Sequence, residues 1–375
     1  MTIRNLVSDS RLMKYRLPVY LALAGFLVAA ECGEDVTPNP PVSEAPRRFR
    51  MSLTTFAPEP GREARDRTWN FVRDRADLIG LHYDDVELPW EELDASRIPD
   101  DFREEFEPDA RDARGRAVYV AITPLEENRS EVVADAGGGP FPASLGPALF
   151  SNPRLRRAFA RYAVFIQETF QPVYMAVGIE VNLYALRNPA DFEHLVTLYE
   201  ETYDALKAVD PALVIFPTLQ HEFLVGNGQQ PLLEDFEPRL DRIGLATYPS
   251  SAGLTPSTLP IDYFSQLRAF SNRGIVITET GYGSRPFDGD AFDAPGSNEL
   301  QRDYLVWLLD QTESQSMSFI VWFFPTDIPN IVNQLPESSG LAFFGYMGVT
   351  AAGFQEKALT RVWRENLARP LVPSP

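Results

Sequence analysis

The sequence predicts a single α/β unit, a (β/α)8 TIM barrel spanning residues 47–368, and three observations carry that expectation. Short apolar runs recur at 48–55, 76–82, 117–123, 173–181, 212–219, 241–248, 274–280 and 318–324. Stretches with helical periodicity lie between them, at 62–75, 153–170, 191–208, 259–272 and 298–314. The chain has 375 residues, long for an ordinary domain, but barrels of this kind fill about 250 residues or more as one unit. Alternation of strand and helix argues a parallel sheet, and eight strands argue its closure.

The helical stretch from Asp191 illustrates the pattern. Phe192, Leu195, Leu198, Tyr199, Tyr203 and Leu206 form an apolar stripe of 3.6-residue period, with charges opposite. Pro189 and Asp191 mark its start as caps, and Asp210-Pro211 its end. The third unit is irregular: residues 124–150 contain Gly137, Gly138, Gly139, Pro140 and Pro142 and read as a long loop. Loops that follow the strands build the functional face of a barrel, so this one is expected to shape a cleft. The acidic stretch from Asp100 to Asp112 lacks the spacing of a calcium loop and reads as a solvated helix face.

The flank before the barrel has its own signature. Arg11, Lys14 and Arg16 precede an apolar run from Leu17 to Ala30, the layout of a signal peptide over residues 1–30 and short for a membrane span. Residues 31–46 are proline-rich and read as an extended tether. Cys32, the only cysteine, follows the run directly. Its placement resembles a bacterial lipoprotein signal, which implies membrane attachment through a lipid on Cys32. Glu31 departs from that pattern, and cleavage after Ala30 fits ordinary signal peptidase as well. The chain is therefore expected to be exported, to an extracellular, periplasmic or outer-surface location.

Composition narrows the function. The content is 44% hydrophobic and 12% aromatic, that of a globular protein. The net charge of −19 repels phosphate backbones and argues against nucleic acid as a partner. Lysine is confined to Lys14, Lys207 and Lys357, so positive charge is almost all arginine. One cysteine allows no intramolecular disulfide and no cysteine-based zinc site. Neither a metal nor a cofactor is expected, and the chain is expected to act as a monomer.

Two of the apolar runs end in a glutamate. Glu180 closes Val177-Gly178-Ile179-Glu180-Val181-Asn182, and Glu279 lies in Ile275-Val276-Ile277-Thr278-Glu279-Thr280-Gly281-Tyr282-Gly283. A charge inside an apolar strand is costly unless a polar cavity receives it. Two carboxylates on strand ends of one barrel can flank a glycosidic bond; retaining hydrolysis requires them about 5 Å apart. His82, Gln220 and His221 also fall at strand ends, where a lone histidine more often serves structure than chemistry.

These motifs resemble the clan A glycoside hydrolases, which carry an acid/base at the end of strand four and a nucleophile at the end of strand seven. The Thr278-Glu279-Thr280-Gly281-Tyr282 text looks like that of family 53 endo-galactanases. The resemblance implies Glu180 as general acid/base and Glu279 as nucleophile. Asp241-Arg242-Ile243-Gly244-Leu245-Ala246-Thr247-Tyr248-Pro249 resembles the clan's sixth strand, whose tyrosine donates to the nucleophile; Tyr248 would take that role. Phe319-Ile320-Val321-Trp322 resembles the eighth, whose tryptophan lies under the sugar; that role falls to Trp322, with Phe323 and Phe324 assigned to the core. Asn182, His82 and Gln220 complete the expected substrate-binding set.

The pattern also departs from the clan. Asparagine usually precedes the acid/base, where it bonds the sugar 2-hydroxyl; here the residue is Ile179. The basic residue expected at the end of the second strand is replaced by His82 and Tyr83. The expected function is retaining hydrolysis of a polysaccharide or oligosaccharide. The alternatives are a catalytically silent glycan-binding surface lipoprotein on the same barrel, and a barrel that has left carbohydrate chemistry.

Overall fold

A computed structural model describes residues 45–84, 86–335 and 340–372. Nine parallel strands form its main sheet: β1 (Arg50–Thr54), β2 (Leu78–Tyr83), β3 (Ala117–Ile122), β4 (Tyr174–Val177), β5 (Val214–Phe216), β6 (Thr218–Gln220), β7 (Ile243–Thr247), β8 (Ile275–Thr280) and β11 (Phe319–Trp322). A small antiparallel hairpin, β9 (Phe287–Asp288) and β10 (Asp293–Ala294), lies between the last two. The lateral order β5-β4-β3-β2-β1-β11-β8-β7-β6 leaves β5 and β6 at the two edges. These are halves of one run interrupted at Pro217, which has no N–H to give a ladder. Joined through Pro217, the edges close the sheet into a barrel of eight staves.

The barrel is filled, not hollow. Tyr119 of β3 stacks on Phe216 of β5 at 6.2 Å, and Phe319 of β11 lies 5.2 Å from Tyr119 and 4.6 Å from Tyr174 of β4. Rings from staves on opposite sides meet only through the interior, so they plug it and leave the strand C-terminal ends as the open face. Helices Arg62–Arg75, Asp100–Ala113, Pro153–Phe170, Phe192–Val209 and Asn298–Ser314 lie between the staves in sequence. The acidic helix Asp100–Ala113 buries Phe102 and Phe106 and meets Arg65 through Asp109 and Asp112, at 2.6 Å each.

Several local expectations are corrected. The fourth run stops at Val177: Gly178 takes φ +92°, and Glu180 is left-handed at φ 51°, ψ 43°. A Cβ on Gly178 would meet Val181 Cγ1 at 2.6 Å, so this turn requires glycine. Asn182 therefore lies in the helix Val181–Arg187, past the end of the strand. The stretch 259–272 is a series of tight turns in which Ser265–Ala269 alone winds as a 3-10 helix. Adjacent Tyr263 and Phe264 both pack on His221 and Trp307, which the single apolar stripe of an α-helix does not allow. Asp191 does not cap its helix; its carboxylate takes the Phe150 N–H and the Tyr184 hydroxyl, both at 2.9 Å.

The loop at 124–150 is built into the protein. Leu125 bridges Val132, and the Trp90 indole donates to the Val133 carbonyl at 3.1 Å. Above the barrel mouth a second apolar cluster gathers Tyr248, Phe324, Ile328, Phe343 and Met347, with Phe56, Phe287, Phe292, Phe323 and Phe344 packed against it. The expected signal peptide, Cys32 and nearly all of the tether lie outside the described residues. Among the described residues, no helix is long and apolar enough to cross a membrane.

Candidate active site

Glu279 sits on β8, which the β-branched run Ile275, Val276, Ile277 and Thr278 favours as a strand. Its side chain keeps 13% of its surface open to solvent. Two donors converge on it. The Tyr248 hydroxyl donates to Oε1 at 2.6 Å, and His82 Nε2 lies 3.2 Å from Oε2. Burial and the neighbouring Glu279 charge hold the Tyr248 hydroxyl well above its ordinary pKa, so it stays a donor. For His82, burial disfavours the imidazolium, but the hydrogen bond and charge of Glu279 outweigh it and raise the pKa. His82 takes an edge-on contact with Phe323 at 5.1 Å, which fixes the ring.

Glu180 follows β4 in its left-handed conformation, and its N–H donates to Thr218 Oγ1 of β6 at 2.8 Å. A non-glycine residue at positive φ is strained and recurs at functional positions. Burial pushes the Glu180 carboxyl up to about 7; Arg129 opposes this, and the Glu279 charge adds to it. The protonated acid is thus accessible near neutral pH beside a second carboxylate, the division of roles that acid-assisted bond cleavage needs.

Arg129 comes from the long loop after β3 and is almost fully buried. It forks onto Asp84 at 2.8 and 2.6 Å, donates to the Glu126 carbonyl at 3.0 Å, and reaches Glu180 Oε2 at 3.5 Å. Burial opposes its charge, but Asp84 and Glu180 hold its pKa above the ordinary arginine value. Arg129 therefore places a positive charge beside Glu180. Replacing it, Arg129→Gln, removes the charge that favours ionised Glu180. The alkaline limb of the kcat/KM profile is expected to move to higher pH, as read from initial rates across pH 5–9.

The other expected residues take different places. Trp322 is completely buried, and its indole donates to the Met347 carbonyl at 2.7 Å; the half-buried ring beside His82 belongs to Phe323. Asn182 is buried too: it accepts the Gln220 N–H at 2.8 Å and donates to the Gln220 carbonyl at 3.1 Å, stapling the β4 turn to β6. Gln220 is spent on the helix start, accepting from Phe223 N at 2.8 Å and donating to Glu222 at 2.6 Å. Tyr83 faces away, bonded to Asp109 at 3.1 Å. Ile179 is buried in the main core and presents no polar group to the mouth.

Sequence reading missed Arg129, Asp84 and Phe323. Asp84 was findable, since it shares the alternating strand face with His82. Arg129 carried no signal, because a loop residue has no periodicity. Among the described residues, no cluster of three or more His, Cys, Asp or Glu side chains could hold a metal ion.

No protein-family model and no curated protein matches this chain. Solved structures do. An exo-β-1,4-mannosidase from Opitutaceae bacterium strain TAV5 superposes with a TM-score of 0.61 at 14% identity, over 88% of this chain and 62% of that one. A GH5_18 protein from Bifidobacterium longum subsp. longum, in complex with Manβ1-4GlcNAc, gives 0.59 at 15% identity, over 88% and 80%. A psychrophilic family 10 endo-β-1,4-xylanase gives 0.53 at 12% identity, over 84% and 96%. The chain shares the (β/α)8 barrel fold of these structures. It spans about three-fifths of the mannosidase and about a third of a Bacteroides uniformis β-glucuronidase, at 62% and 35% of their lengths. At such identities the glycoside-hydrolase barrel is a likeness of fold, and chemistry must be argued from the site.

Proposed function

We propose that the protein is a retaining O-glycosyl hydrolase acting on a polysaccharide or oligosaccharide, with Glu279 as nucleophile and Glu180 as acid/base. The observation that carries this reading is the asymmetry of the two carboxylates. Glu279 is held by a tyrosine hydroxyl at 2.6 Å and an imidazole at 3.2 Å, which aim it as a nucleophile. Glu180 is half-buried, strained and raised to about 7, which suits a proton donor. In the reaction, Glu180 protonates the departing oxygen as Glu279 attacks the anomeric carbon. Glu180 then takes a proton from the water that hydrolyses the glycosyl ester. Export, with or without a lipid on Cys32, would place the enzyme where polymeric glycans are met.

A panel of aryl glycosides and polysaccharides tests this, with galactans included because of the family 53 likeness around Glu279. Release of sugar with retained anomeric configuration, followed by proton NMR, is expected. Inversion, or binding without hydrolysis across the panel, contradicts it. The second of these outcomes is the one the silent glycan-binding alternative predicts, and Ile179 is the feature that favours that alternative.

A further inference from the structure

One hydrogen-bonded residue away from Glu279, through Tyr248, lies another acidic side chain that several donors meet. Glu222 is the second residue of the helix His221–Gly226, which starts directly after β6. Its Oε1 receives the Thr247 hydroxyl at 2.6 Å, the backbone N–H of Tyr248 at 3.1 Å and the Tyr263 hydroxyl. Its Oε2 receives the Gln220 amide at 2.6 Å. Four donors from three separate segments thus meet on one carboxylate.

Two of those donors belong to the support of Glu279. Tyr248, whose N–H Glu222 holds, places its own hydroxyl 2.6 Å from Glu279 Oε1. Thr247, whose hydroxyl Glu222 holds, accepts at its carbonyl the hydroxyl of Thr280, at 2.7 Å. Thr280 is the residue after Glu279 on β8. Glu222 therefore fixes the end of β7 at the two residues that reach across to the carboxylate and its strand. The ring of Tyr248 packs against the aromatic cover, with Phe344 at 5.2 Å and Phe343 at 6.2 Å. Those apolar contacts restrain the ring plane but do not set where the backbone starts.

We infer that Glu222 is a positioning residue for the nucleophile, acting through Tyr248 and Thr247 and not by touching substrate. This inference rests on the retaining reading above. A carboxylate misplaced by a fraction of an ångström loses attack geometry while the sugar still binds, so the effect belongs to kcat.

The test is a double-mutant cycle of Glu222→Gln and Tyr248→Phe, with thermal midpoints recorded for each variant. Glu222→Gln is expected to lower kcat by about 10- to 100-fold with KM within about twofold of the parent. In the Tyr248→Phe background the same change should cost little more, because the hydroxyl it positions is already gone. An unchanged kcat, or losses that simply multiply, overturns the inference. If the parent protein cleaves nothing, the retaining reading fails, and the positioning claim is then read by crystallography of Glu222→Ala. Displacement of the Tyr248 hydroxyl from Glu279 supports it, and an unaltered 2.6 Å contact refutes it.

Discussion

Glu279→Gln is expected to lower kcat by about ten-thousand-fold or more, with carbohydrate binding kept within a few fold. The amide retains the size of the carboxylate and can still accept from the Tyr248 hydroxyl, now 2.6 Å from Oε1. It cannot form the ester with the anomeric carbon. No neighbour can take over, because Glu180 is tied to Arg129 and Thr218 on the other side of the mouth. Titration calorimetry of the variant with the best substrate would separate the loss of chemistry from loss of binding. Turnover at the parental rate would exclude Glu279 as nucleophile.

Glu180→Gln is expected to act differently, and its signature is in pH and leaving group. The acid must be protonated to donate, and Glu180 is pushed up to about 7 by burial and by the charge of Glu279, against the pull of Arg129. Activity is therefore present below that value and falls as pH rises through it. The variant should lose about 10²- to 10⁴-fold on substrates with poor leaving groups and lose the alkaline limb. On aryl glycosides whose phenolate departs unaided, formation of the glycosyl-enzyme should be nearly unaffected. Equal losses on both substrate types would rule out the acid role.

The staves were legible in the sequence because each carries a short β-branched or aromatic run bounded by turn residues, and because the helices between them repeat their apolar face. Two expected runs still differ from the observed strands. Gly178 and Pro217 end or split them through backbone conformation and a missing N–H, effects that do not interrupt an apolar run. The stretch 259–272 looked helical since Tyr263, Phe264 and Leu267 are apolar at suitable spacing, while tertiary packing on His221 and Trp307 wound it into turns.

Around the site, Glu180, Glu279, Tyr248 and His82 stood out because each puts a polar group at the end of an apolar strand. Arg129 did not, since its position is set by a loop whose path depends on Asp84 and on the Leu125–Val132 bridge. By sequence position, Trp322 and Asn182 are expected to face the sugar. Their hydrogen bonds to Met347 and to Gln220 turn both inward, a matter of side-chain direction that strand position alone does not decide. Ile179 raised the question of what replaces the clan's asparagine. Its side chain is buried in the main core and offers no polar group to the mouth.

The most direct measurement is covalent trapping. Activated 2-fluoro glycosides of the gluco, galacto, manno and xylo series slow hydrolysis of the glycosyl ester more than its formation, so a retaining enzyme accumulates labelled protein. Peptide mapping by mass spectrometry is expected to place one sugar on Glu279, with no label in Glu279→Gln. A label on another residue, or hydrolysis of the parent substrates with no label from any member of the series, would contradict Glu279 as the nucleophile.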